Sequence, residues 1–460
     1  MEKNERDAID FGKENIPKLF RQMLIPTIIG MLFAASMTIT DGIFVGRFVG
    51  SDALAAVNIV APFFMLATGI GLMFGVGVSV VASVHLSRGR VKAANINITQ
   101  AYSVSLFFTL IASALGLVFD RELAFLFGSS ERLLPHVLEY LHRVLPFMAF
   151  YMLLQVGMFV IRLDGSPRFA MWCNAIPALV NLVLDYIFIV PLDWGIAGAA
   201  WAFDSGVVIG SLMIIIYTTK CSYTLRLYRI KLSRTSIRLT RRNIGYMLNI
   251  GTPAMLNEVA IACMMLIGNY VFIHYLGEDG VAAFSVACYC FPLVFMINNA
   301  IAQSAQPIIS YNYGTGDFRR VRYTFRLALY TAVTCGLLAA FAVWFSIEPL
   351  IALLLEPGCK AFHIAVSGMA YFATGFLFFA LNIVCIGYLQ SIERARPAQL
   401  FTLLRGLLLL LVYFLTLPQW LGHKGIWLSV PASELTTFIF ILSFFFMERM
   451  KDNRHKRKNT

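Results

Sequence analysis

Long apolar runs recur twelve times along the chain, at about residues 22–48, 53–84, 97–119, 134–161, 169–190, 195–218, 244–275, 280–312, 325–347, 363–390, 398–420 and 426–447. Each can cross a hydrocarbon core of ~30 Å, which takes ~20 helical residues. Barrel strands would be shorter and would alternate polar with apolar positions, so the runs predict helices. The expectation is an all-α membrane protein with twelve transmembrane helices.

The pattern also repeats itself. Residues 24–95 align without a gap on 251–322, and Pro26 pairs with Pro253, Gly50 with Gly277, Asp52 with Asp279, and Gly89 with Gly316. The shared positions are mainly glycine, proline and small residues, which set helix breaks and close packing. A basic stretch at 220–242 separates the halves. The expected organisation is a six-helix lobe at 1–219, a cytosolic connector at 220–242, and a second six-helix lobe with a basic tail at 243–460. Six spans per lobe is an even number, so both lobes enter from the same side and are related by an axis along the membrane normal. A cavity between them that opens to alternate sides follows as an expectation.

Composition agrees with this reading. The 460 residues are 59% hydrophobic and 13% charged, whereas a soluble protein carries roughly 25% charged residues. The net charge of +12 is largely a topology signal. With both termini in the cytosol, inner segments hold 31 of the 37 Lys and Arg; Arg47, Arg121, Arg132, Arg143, Lys360 and Lys424 are the six outside. The basic tail at 454–460 is therefore expected to serve topology, with no nucleic acid as partner. The connector is read as a linker at the anionic inner leaflet. The eight cysteines lack metal spacing and imply neither a disulfide framework nor a metal cluster. The polar N-terminus does not read as a signal peptide.

Charged groups inside the bilayer are the candidates for chemistry, because an ionised side chain there is costly. Asp41 lies 20 residues beyond Arg21, and Asp185 lies 17 beyond Arg168. At 1.5 Å per residue these are depths of ~30 and ~26 Å. Asn181 stands one turn before Asp185 on the same face, and Asp204 enters from the opposite side. Two carboxylates and an amide at one depth suit a proton relay, since like charge and lost hydration favour proton uptake. The same oxygens suit Na⁺, and a structural role remains open: Asp41 capping a broken helix, Asp185 bonding a neighbour. In the second half Glu258 is the comparable acid, a candidate for a cationic substrate or a proton; Glu434 is a weaker one. Gln303 and Gln306, three apart on one face, are candidate cavity residues, and Met37 is a further candidate substrate contact. Asp41 aligns with Gly268, so the acids are not duplicated.

"TDGIFVGRFVGSDALAAVNIVAPF" (40–63), "QPIISYNYGTGDFRRVR" (306–322) and "GYLQSIERARPA" (387–398) resemble the multidrug and toxic compound extrusion (MATE) family. "GIAGAAWA" (195–202) and "GIWLSVPASEL" (425–435) add to the likeness, which runs from about 16 to 447 and is greatest to the MepA-like branch. The resemblance implies the V-shaped, two-lobed fold with a central cavity. It also implies a monomeric antiporter of the bacterial cytoplasmic membrane that expels small cationic amphipathic drugs in exchange for H⁺ or Na⁺, without a cofactor, and so a role in antibiotic resistance. It makes Asp41, Asn181 and Asp185 the cation site. The family's helix-six Thr is replaced here by Phe203 followed by Asp204, so Asp204 is the candidate substitute. The helix-seven Glu of other branches falls at Ile261, and Glu258 sits about one turn earlier.

Two competing readings remain. A flippase for lipid-linked precursors predicts Arg and Lys deep in the bilayer to hold pyrophosphate, for which Arg405, read as lying near a helix end, is the main candidate. A membrane enzyme predicts a metal-spaced His cluster, a phosphate loop or a nucleophile constellation, and the sequence shows none.

Overall fold

The computed structural model describes residues 9–229, 233–352 and 354–458. Lys231 of the connector, the first eight residues of the polar N-terminus and the last two of the basic tail lie outside the described residues. Nearly all of the described chain is helical. The helices are α1 (Ile16–Phe44), α2 (Ser51–Ser87), α3 (Val91–Val118), α4 (Asp120–Leu126), α5 (Leu134–Val144), α6 (Met148–Leu163), α7 (Pro167–Ile189) and α8 (Gly195–Ile216). They continue as α9 (Arg234–Thr315), α10 (Phe318–Phe345), α11 (Ile347–Ala352), α12 (Lys360–Ala373), α13 (Gly375–Ser391), α14 (Ala395–Leu403), α15 (Leu409–Leu421) and α16 (His423–Lys458). Among the described residues ten helices are long and apolar enough to cross a membrane, or eleven when the pair α12 and α13, bent by 42°, counts as one span. One of the ten, α9, is interrupted at Gly277 (φ 68°, ψ −161°) and carries an apolar run on each side.

The sequence repeat is written into the backbone. Gly50 and Gly277 both have positive φ (125° and 68°), as do Gly89 and Gly316 (71° and 82°). A side chain is strained in that region, so glycine is kept wherever both halves break or end a helix.

The chain forms two compact units. The first holds the chain up to Glu258, with Gln303–Thr324 and Ser391–Glu393. The second holds Val259–Ala302, Phe325–Gln390 and the chain from Arg394 on. The first unit thus takes both ends of α9, because those ends lie against α2. A Cβ on Gly251 would stand 1.8 Å from the Met73 carbonyl oxygen, and one on Gly77 would stand 2.2 Å from that of Met247. Backbone meets backbone there, as small residues permit in membranes, where packing replaces the hydrophobic drive. Farther along, Gln306 Nε2 donates to the Val76 carbonyl at 3.4 Å, and Ser83 Oγ donates to that of Pro307 at 3.4 Å.

Asp164, between α6 and α7, fixes the start of the connector in the same unit. Its carboxylate accepts from the backbone N–H groups of Tyr223 (2.7 Å), Thr224 (2.9 Å) and Leu225 (2.9 Å), and from Tyr217 Oη (2.9 Å).

The second unit has an aromatic centre. Phe272 and Phe284 stack at 4.4 Å, with Trp427 edge-on to Phe272 at 4.9 Å. Gly268, the repeat partner of Asp41, lies under this stack, and a Cβ there would be 2.4 Å from the Phe284 ring. An acid has no room at that position.

Two outcomes are expected. Gly251→Leu forces α9 off α2 and destabilises the protein by about 3 kcal/mol, the upper range for overpacking, read as a lower midpoint of thermal unfolding in detergent. Asp164→Ala leaves buried donors unmatched and costs a similar, roughly 3 kcal/mol, with faster proteolysis at 223–225.

Candidate functional site

Glycine contacts set the register of α1, α7 and α8. Gly30 on α1 rests on α7, where a Cβ would lie 3.2 Å from Asn174 and 3.4 Å from the Met171 backbone. Eleven residues farther along each helix stand Asp41 and Asp185. Equal steps along two helices running the same way, ~16 Å at 1.5 Å per residue, keep them level. On α8, Gly206 and Gly210 form a small-x-x-x-small pair against α7: a Cβ at 206 would be 2.9 Å from the Pro177 carbonyl, and one at 210 would be 2.8 Å from the Pro177 ring. The same position at Gly206 is 3.5 Å from Asn181 Cβ and 3.5 Å from Met37 Cε, which places Met37 beside Asn181.

Asp41, Asn181 and Asp185 are therefore neighbours. Asn181 and Asp185 are fully buried, and Asp41 is half-buried with Oδ1 closed to solvent. No contact among them has hydrogen-bond geometry: both amide atoms of Asn181, both carboxyl oxygens of Asp185, and Asp41 Oδ1 lack partners. Buried polar groups are normally satisfied, and each exception calls for an explanation.

Asp204 is also buried and unpartnered, but it does not join the trio. It stands two residues from Gly206, which faces α7, and so points about 200° round the helix from that contact. Tyr140 on α5 is buried within Coulombic reach of all three acids. Among the described residues no group of three or more His, Cys, Asp or Glu is arranged to hold a metal ion. The set Asp41, Asn181 and Asp185 contains only two such residues and offers a cation carboxylate and amide oxygens, the donors that hard cations take.

Glu258 belongs to a second polar cluster in the same unit. Thr68 Oγ1 and Tyr151 Oη are 2.6 Å apart, Gln155 Nε2 donates to Tyr151 Oη at 2.9 Å, and Glu258 interacts electrostatically with Tyr151. All four are half-buried. Phe64 joins the two clusters, with ring centroids 6.4 Å from Tyr140, 6.2 Å from Tyr151 and 5.2 Å from Phe203. Gln303 and Gln306 are engaged elsewhere: Gln303 Oε1 accepts from Arg162 Nη1 at 2.5 Å, and Gln306 bonds Val76. Tyr140, Tyr151, Gln155 and Arg162 carry no warning in the sequence beyond the Tyr151-x-x-x-Gln155 spacing, because isolated polar residues are ordinary within spans.

In the second unit Arg405 is not at a helix end. It lies in a π-helical turn, Leu404–Leu408, between α14 and α15. Its Nε donates to both oxygens of Glu434 at 3.0 and 3.2 Å. Asn382 Nδ2 donates to Glu434 Oε2 at 2.7 Å, and the guanidinium lies 4.6 Å above the Phe379 ring. Ser433 Oγ donates to the Arg405 carbonyl. This arginine is committed to a carboxylate and is not free to hold pyrophosphate.

The MatE family model matches residues 26–187 and 253–415, one stretch in each half. An FAD transporter of Shewanella oneidensis is 24% identical over 432 residues, 91% of this chain and 92% of the relative. The multidrug export protein MepA of Staphylococcus saprophyticus is 24% identical over 413 residues, 88% of each. Among solved structures, an outward-facing multidrug resistance MATE family transporter of the MOP superfamily shares the fold with a TM-score of 0.89, at 21% identity over 99% of this chain and 100% of that one. A Vibrio cholerae MATE transporter gives 0.86 at 19% identity, over 95% and 97%.

Two measurements follow from this geometry. Glu434→Gln strands a buried guanidinium and is expected to cost about 3 kcal/mol or more, whereas Arg405→Met with Glu434→Leu is close to neutral; a double-mutant cycle on thermal unfolding checks both. Asp204→Asn, which removes a buried carboxyl that makes no bond, leaves the unfolding midpoint unchanged or raises it, and a clear drop would show that the carboxyl is held by a network.

Proposed function

Because this chain belongs to the MatE family, we propose that it is a secondary exporter of cationic amphipathic compounds, driven by entry of H⁺ or Na⁺ and coupled at Asp41, Asn181 and Asp185. One observation carries the reading: a fully buried carboxylate and amide, all four polar atoms unpartnered, turned toward a second carboxylate. Such a group lowers its energy by taking up a proton or a cation, which supplies the missing partner. A substrate cation is drawn by the same negative charge. Ion and substrate therefore oppose one another, each weakening the other by an equal factor. Alternating access of the two halves then turns that opposition into exchange.

The substrate is assigned to the part of the first unit where the half-buried Glu258, Tyr151, Gln155 and Thr68 cluster beside Phe64 and Phe203. Aromatic faces and one carboxylate suit a flat lipophilic cation. Met37, next to Asn181, adds an adaptable contact. Asp204 serves as a separate proton-holding group, reached through Tyr140. The protein works in a bacterial cytoplasmic membrane with both termini in the cytosol, as the distribution of Lys and Arg implies.

In proteoliposomes with imposed gradients, ethidium efflux should follow the pH gradient or the Na⁺ gradient. Asp41→Asn and Asp185→Asn should each slow it by about tenfold or more, the loss of ~1.4 kcal/mol of coupling or greater. Efflux and pH dependence left intact in both variants would refute the coupling site. FAD, the named cargo of the Shewanella oneidensis relative, should not compete with ethidium; FAD counterflow without ethidium transport would move the substrate class to anions.

A further inference from the structure

The second unit contains a cavity of about 530 Å³ apart from the Arg405–Glu434 pair. Lys360, Lys424 and His423 stand around it, with Tyr275, Tyr371 and Trp427 as aromatic walls and Ser367 and Gly368 between them. Among the described residues no acidic side chain lines it. Its size is that of a small-ligand site, ~300–1,000 Å³. We propose that this cavity binds the phosphodiester headgroup of an anionic phospholipid.

Four features support that occupant. The first is charge. Lys360 pairs with Asp279, at 3.3 Å with both side chains well exposed; such surface pairs contribute little and exchange readily. Lys424 Nζ lies 5.9 Å from the Tyr371 ring centroid. The second is the backbone. Lys360 opens α12, and His423 and Lys424 open α16, so two helix N-termini bring partial positive charge to this region.

The third is a donor-bearing wall. Trp427 lines the cavity and is 3% exposed. The ring reaches this position because residue 368 is glycine: a Cβ there would stand 2.1 Å from Trp427 Nε1. Its indole N–H is a donor that a phosphate oxygen can accept from. The fourth is setting. Tyr and Trp gather where helix ends meet the headgroup layer, and basic pockets between membrane helices recognise lipid phosphates. Tyr275 and Lys424 are exposed at such ends. By the distribution of Lys and Arg this is the outer leaflet, away from the basic connector.

Soluble phosphate shares the recognised chemistry but lacks the acyl chains, so the test separates them. The full chain in detergent is titrated with dioleoyl phosphatidylglycerol, dioleoyl phosphatidylcholine or inorganic phosphate, with bound species counted by native mass spectrometry. Phosphatidylglycerol should bind, phosphatidylcholine much less, and inorganic phosphate should compete weakly. Lys360→Gln with Lys424→Gln should weaken phosphatidylglycerol binding by about 30-fold, as expected for two lysines beside an anionic headgroup. Ser367→Phe, which fills the cavity and keeps its charges, should reduce binding as well. Equal binding of the two lipids overturns the proposal. So does wild-type affinity in both variants, and so does tight binding of inorganic phosphate without phosphatidylglycerol. Ethidium efflux is a separate readout, so failure here leaves the coupling site standing.

Discussion

In a hydrocarbon medium a polar group has no water to fall back on, and every other polar feature of this molecule is arranged around that constraint. Arg405 and Glu434, both buried, bond to one another and to Asn382. Asp164 gathers three backbone N–H groups and a tyrosine. Arg162 takes Gln303. Against that background Asp185, Asn181 and Asp204 stand out as buried carboxyl and amide groups with both side-chain polar atoms unpartnered.

The scaffold is set by glycines. Positive-φ glycines break and end helices at matching places in the two halves, while helical glycines decide how closely helices approach. Gly251 and Gly77 let α9 lie on α2 backbone to backbone, and Gly206 and Gly210 let α8 reach Pro177 of α7. Without the second pair, α7 would stand off and Asn181 would lose its place beside Met37. Close packing therefore determines the electrostatics of the site, because it brings the carboxylates together and keeps water from them.

The two halves illustrate how a duplicated scaffold can diverge in chemistry. Where the first half carries Asp41, the second has Gly268, and the ring of Phe284 fills the space a side chain would need. In the second unit the buried Arg405 is paired with Glu434. The anion proposed for this unit sits instead at the helix ends, in the basic cavity.

The sequence by itself determined the helical membrane class, the 227-residue repeat, the family, and the short list of costly acids. All of these follow from hydropathy, periodicity and the price of charge in a bilayer, which are properties of residues in order. Only the tertiary structure decided which acids meet. Asp41 and Asp185 come level because Gly30 fixes α1 on α7. Asp204, two residues from the α7 contact, is turned away. Glu258 finds Tyr151, and Gln303 is consumed by Arg162. Those outcomes depend on helix rotation and on contacts between residues far apart in sequence, and a rotation of 100° per residue is enough to move a carboxylate from one site to another.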